Sequence, residues 1–119
     1  MLDRAERLQR QFFSHAAVAW EPPVDVHESD ESVVVQVALP GVPADSVTIA
    51  LEPAGVTISA LRAFPCRGAA HIHRVEIPYG RFERHIGLPL GDPCDALELA
   101  GKQLADGVLT LTFRKKEGA

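Results

Sequence analysis

Two blocks, Tyr79-Gly80-Arg81-Phe82-Glu83-Arg84-His85-Ile86-Gly87-Leu88-Pro89 and, further on, Asp106-Gly107-Val108-Leu109-Thr110-Leu111, say most about how the chain folds. The first block carries a turn, a strand with Phe82, Ile86 and Leu88 on one parity, and a proline stop. The second opens on Asp-Gly, after which Leu109, Leu111 and Phe113 alternate with Val108, Thr110 and Thr112. Glycine supplies the positive φ that a tight hairpin turn needs, and alternation of period two marks a half-buried strand. Both blocks read as antiparallel β-structure.

The same period runs upstream. Val24 and Val26 begin a short strand, and Val33, Val35, Val37 and Leu39 alternate with Val34, Gln36 and Ala38 up to the Leu39-Pro40-Gly41 turn. Val47, Ile49 and Leu51 alternate with Ser46, Thr48 and Ala50; Glu52-Pro53-Ala54-Gly55 turns the chain; Val56, Ile58 and Ala60 alternate with Thr57, Ser59 and Leu61. Residues 97–100 and 108–114 complete the set. Many short strands, Gly/Pro turns and no βαβ pattern predict an all-β fold, an antiparallel two-sheet sandwich of about seven or eight strands. Between strands, Arg62 to His73 fits neither strand nor helix and is apolar for a solvated loop. Loops of that length are often functional or covered.

Ahead of the strands, Leu2, Ala5, Leu8 and Phe12 recur at three- and four-residue spacing, and Asp3–Arg7 and Glu6–Arg10 are i,i+4 opposite-charge pairs. This predicts a short amphipathic helix running into Ala16-Ala17-Val18-Ala19-Trp20, stopped by Pro22-Pro23. The expected organisation is an arm over 1–19, a sandwich over 20–114 and a short tail over 115–119.

Bulk properties narrow the function. A chain of 119 residues, 46% hydrophobic and 24% charged, is one globular domain. No apolar run approaches the roughly 20 residues of a membrane span, and the mixed-charge start is unlike a secretory signal. A net charge of −4 argues against a nucleic-acid partner. Cys66 and Cys94 then read as free thiols, and the expected compartment is the cytoplasm.

No reactive constellation is evident. His71, His73, His85, Cys66 and Cys94 match no standard metal spacing, which leaves at most an adventitious site. Cys94 is flanked by Asp92 and Asp95, which oppose thiolate formation. No phosphate-binding glycine loop occurs, so neither cofactor nor enzymatic activity is expected. Arg84 is unusual because it shares parity with Phe82, Ile86 and Leu88. A buried guanidinium needs an acceptor, with Glu76 and Asp25 as candidates, unless a bulge or a snorkelling side chain takes it outward.

In their order these pieces resemble the small heat shock protein family, whose common module is the α-crystallin domain. The resemblance rests on Trp20-x-Pro22-x-x-Asp25, Glu28, Val33 to Val42, Val47-x-Ile49, Val56-x-Ile58, Arg62, His73-Arg74-x-Glu76, Gly80-x-Phe82-x-Arg84-x-Ile86-x-Leu88-Pro89 and Asp106-Gly107-Val108-Leu109. It implies an immunoglobulin-like β-sandwich and an ATP-independent holdase that binds partly unfolded clients. The client-binding candidates are Leu2, Leu8, Phe12, Phe13, Val18 and Trp20 on the arm, with Val47, Ile49, Leu51, Leu97 and Leu99 lining a groove. Phe64, Ile72, His73, Glu76 and Arg84 are the candidates for a homodimer interface, at which the 62–73 loop would add a strand to a partner's sheet. Two features depart from the family pattern. The sequence ends without the usual Ile/Val-x-Ile/Val tail, which predicts dimers or small assemblies, and Lys102 stands where a small alanine is common. A p23-like co-chaperone sandwich, binding a folded partner, is the alternative.

Overall fold

The computed structural model describes residues 19–53, 55–65, 68, 71–89 and 96–116. Within them lie seven strands: β1 (Val24–Glu28), β2 (Ser32–Ala38), β3 (Thr48–Glu52), β4 (Gly55–Arg62), β5 (Gly80–Ile86), β6 (Leu97–Ala105) and β7 (Val108–Lys115). They form two antiparallel sheets, ordered β1-β2-β7-β6 and β3-β4-β5. The expected sandwich is what the chain builds. The predicted amino-terminal helix falls outside the described residues, apart from Ala19 and the bridge at Trp20.

The core follows from the alternation. Val33, Val35 and Val37 of β2 pair in register with Phe113, Leu111 and Leu109 of β7, and all six are 0% exposed. Val56, Ile58 and Ala60 of β4 and Phe82 and Ile86 of β5 meet them from the other sheet. Two turns lock together at one end. Asp106 and Gly107 both have positive φ, 52° and 76°, as the Asp-Gly hairpin signal requires. The Gly107 carbonyl accepts the Leu39 amide at 2.7 Å, beside the Leu39-Pro40-Gly41 turn.

β6 runs to Ala105, beyond the predicted 97–100, because of a bulge between Leu99 and Gly101. Before it, Leu97 and Leu99 share the inner parity; after it, Lys102 and Leu104 do, opposite Leu111 and Leu109. A single extra residue breaks the period of two, and the second half of the strand then no longer reads as a continuation of the first. The ion pair Arg114–Glu98, 2.5 Å, ties β6 to β7 just before the bulge. It holds the Glu98 carboxyl below its ordinary range, first through the hydrogen bond and then through the charge of Arg114.

Truncation of Phe113 to alanine should lower unfolding free energy by about 3–5 kcal/mol, measured by urea denaturation, since it empties the centre of the core. Gly55 gives a second test. Its φ is +149°, and a Cβ there would sit 2.0 Å from the Ile86 carbonyl oxygen. Gly55→Ala should therefore destabilise by more than about 3 kcal/mol. Gly80→Ala, with open space around it at φ +94°, should lose only the backbone strain of about 1–2 kcal/mol.

Candidate functional site

A sandwich of two sheets has edges, and here an edge strand of each sheet carries apolar residues on its inner face. On β3, Ile49 and Leu51 pair with Ile58 and Val56 of β4 and so point toward the sandwich interior. On β6, Leu99 pairs with Phe113 and Leu104 with Leu109. Among the described residues β3 pairs only with β4, and β6 only with β7. Leu51 and Leu99 on these strands are 36% and 37% exposed, while Ile49 and Leu104 are partly buried. The Lys102 Nζ lies 3.5 Å from the Val47 carbonyl, so β6 is brought across to the start of β3.

The predicted groove residues thus separate into two groups. Leu51, Leu99 and in part Ile49 present surface, whereas Val47 and Leu97 belong to the core. Of the arm candidates, Leu2, Leu8, Phe12, Phe13 and Val18 lie outside the described residues. Trp20 is described and has a structural engagement of its own. Its amide donates to the Arg81 carbonyl, its carbonyl accepts from the Glu83 amide, both at 2.9 Å, and its indole Nε1 donates to the Tyr79 carbonyl at 3.0 Å. It therefore extends the free edge of β5 as a one-residue parallel bridge with Phe82. From there Pro22 and Pro23 carry the chain over to the other sheet, where the Pro23 carbonyl accepts the Ala38 amide at 3.0 Å.

Arg84 takes its place in this crossing. It pairs with Ile58 of β4, so the parity reading was correct, and the side chain is half-buried. Its acceptor is the Pro22 carbonyl, which takes a hydrogen bond from Nη1 at 3.1 Å, and not the expected Glu76 or Asp25. Glu76 instead faces Arg74 at 3.7 Å, with both side chains well exposed. Sequence reasoning could not have found a backbone acceptor 62 residues away.

β4 ends at Arg62 and β5 begins at Gly80, so the connection between them is longer than the predicted Arg62 to His73. Phe64 is half-buried against Tyr79, ring centroids 4.7 Å apart, and Ile72 is buried. His73 and Glu76 are exposed, as is Ile77 at 64%. A cavity of about 430 Å³ opens among Arg62, Phe64, Ile72, Val75 and Ile77. Arg62 closes the connection by donating from Nη1 to the Pro78 carbonyl at 3.1 Å. Among the described residues β1 pairs only with β2, and Val26 on it is exposed.

Among the described residues no three His, Cys, Asp or Glu side chains converge to hold a metal; Cys66 and Cys94 fall outside those residues. His85 is committed elsewhere. The Thr57 hydroxyl donates to the Glu52 carboxylate, so its oxygen accepts from His85 Nδ1 at 2.6 Å. That fixes the histidine proton on Nδ1.

Residues 25–119 match the model of the Hsp20/alpha crystallin family. A 22.7 kDa class IV heat shock protein of Pisum sativum is 35% identical over 104 residues, covering 86% of this chain and 48% of that protein. The chain thus spans about half the length of that relative. Heat shock protein 16.0 of Schizosaccharomyces pombe superposes with a TM-score of 0.67 at 29% identity, covering 83% of this chain and 90% of the other. The hspA of Xanthomonas axonopodis gives 0.66 at 26% identity, covering 86% and 100%.

Burial pushes the Tyr79 phenol above its ordinary 10.0. The chain has a single tyrosine, so alkaline titration followed by phenolate absorbance should give one transition with a midpoint above 10. The unfolded tyrosine ionises first. The contribution of this residue to stability is therefore present below pH 10 and lost as pH rises through the folded value. Phe64→Ala, which opens the covering ring, should bring the midpoint back toward 10.

Proposed function

The chain belongs to the Hsp20/alpha crystallin family, and from that premise we propose that it is an ATP-independent holdase, covering partly unfolded proteins before they aggregate. The observation that carries this reading is that Leu51 and Leu99 stay exposed on the inner faces of β3 and β6, which would make a groove between those strands a docking site. Unfolding proteins expose the matching features, apolar side chains and unpaired backbone. A groove with apolar walls and unpaired strand edges receives an extended segment through backbone hydrogen bonds and alternate side chains, with no fixed sequence. The arm residues Leu2, Leu8, Phe12, Phe13 and Val18 would supply further apolar contacts. No step of this activity needs a cofactor.

We further propose that the protein acts as a homodimer in the cytoplasm. The connection from Ala63 to Tyr79 is long, and Phe64 and Ile72 already anchor it. Reaching a second copy, it would pair with the open edge of β1 and cover Val26. His73 and Glu76, which are exposed, would then meet the partner.

Light scattering of a heated or reduced model client should fall at equimolar protein without ATP. Leu51→Glu with Leu99→Glu should weaken that protection severalfold with the fold intact by circular dichroism; full protection would remove the groove from the account. Deleting residues 1–19 should reduce protection more than stability. Unchanged scattering across several clients, with the wild-type protein folded, overturns the holdase reading. In sedimentation, replacing residues 64–77 by a short turn should convert dimer to monomer, and a persisting dimer excludes strand exchange.

A further inference from the structure

Lys102 stands out in the groove. Its register opposite the fully buried Leu111 puts it on the inner face of β6, on the same side as Leu99 and Leu104. Alternation at that place calls for an apolar side chain, and the chain supplies an ammonium group. Its Nζ finds the Val47 carbonyl at 3.5 Å, a long contact for a hydrogen bond. An ammonium carries three donors, and among the described residues none of the ion pairs includes Lys102. Register places Lys102 on the face of β6 that carries Leu99 and Leu104, its Nζ near the start of β3, and water solvates the exposed ammonium while that face stays open.

An occupant changes that balance. A purely apolar segment laid into the groove would strip water from the ammonium and return nothing, which is unfavourable. A segment that brings a carboxylate replaces the lost water with a charge-assisted hydrogen bond. A segment that brings a lysine meets like charge at short range. The bound backbone is extended because β3 and β6 are both edge strands with one free side, so apolar residues two apart face the walls while a neighbouring acidic residue reaches the rim.

We propose that Lys102 makes the groove selective for extended segments of a partner polypeptide in which apolar residues are flanked by aspartate or glutamate, the carboxylate drawing Nζ away from the Val47 carbonyl. This rests on the reading of the groove as a docking site. Selection then comes from the side chain at one position, while the apolar walls supply affinity that is indifferent to sequence.

The test uses three fluorescein-labelled pentapeptides, Glu-Val-Ser-Val-Glu, Gln-Val-Ser-Val-Gln and Lys-Val-Ser-Val-Lys, titrated by anisotropy against the full chain at low salt. Wild type should bind the glutamate peptide about fivefold more tightly than the glutamine peptide, and the lysine peptide least. Lys102→Ala should abolish the difference, and Lys102→Glu should reverse the order. Salt near 1 M should erase the wild-type preference through screening. Lys102 is exposed, so both variants should keep the wild-type circular dichroism. A preference that survives Lys102→Ala, or equal binding of all three peptides by wild type, overturns the selectivity and leaves the groove as a docking site. Binding of none of them, in wild type and variants alike, overturns the docking site and the selectivity with it.

Discussion

Everything in this molecule depends on burial between two sheets that share no strand. Hydrogen bonds hold β1-β2-β7-β6 together and hold β3-β4-β5 together, but the ladders themselves do not bind one sheet to the other. That attachment comes from Val33, Val35, Val37, Leu109, Leu111 and Phe113 closing on Val56, Ile58, Ala60, Phe82 and Ile86. Removing apolar surface from water is worth about 25 cal/mol per Å², and it is non-directional. Directional pinning is added at the ends. The Leu39 amide meets the Gly107 carbonyl, and Trp20, Pro22 and Pro23 strap β5 of one sheet to β1 and β2 of the other.

The same constraint creates the candidate site. Core residues are covered because strands flank them on both sides, as β2 and β7 flank each other and β1 and β6 lie beyond. β3 and β6 have a neighbour on one side only. Their inward side chains follow the core pattern without receiving full cover, which leaves Leu51 and Leu99 exposed while Leu97, nearer the covered end, is enclosed. The candidate site is thus the incompletely covered margin of the core among the described residues. The opposite edge of the three-stranded sheet, β5, is blunted by the Trp20 bridge, in keeping with the need to cover free edges.

The chain shares the Hsp20/alpha crystallin fold with proteins from fungi and bacteria at 26–29% identity. Fold alone does not fix function, which is argued from sites set on the fold. Lys102 shows how a charged side chain can stand at a position of inner parity on the margin of the core, where it remains exposed.

Six of the strands, their inward parity and the Asp106-Gly107 hairpin were legible in the sequence, because period-two alternation and turn chemistry are local properties of the chain. The sequence also showed that Arg84 has inner parity. Only the tertiary structure decided where that guanidinium goes, to the Pro22 carbonyl, because a backbone acceptor has no signature in sequence. It likewise decided that β6 continues past its bulge, and that Leu97 is core while Leu99 is surface, two residues of the same type and parity. That difference depends on which strands lie beyond them. Exposure is set by neighbours distant in sequence, and no pattern within one strand encodes it.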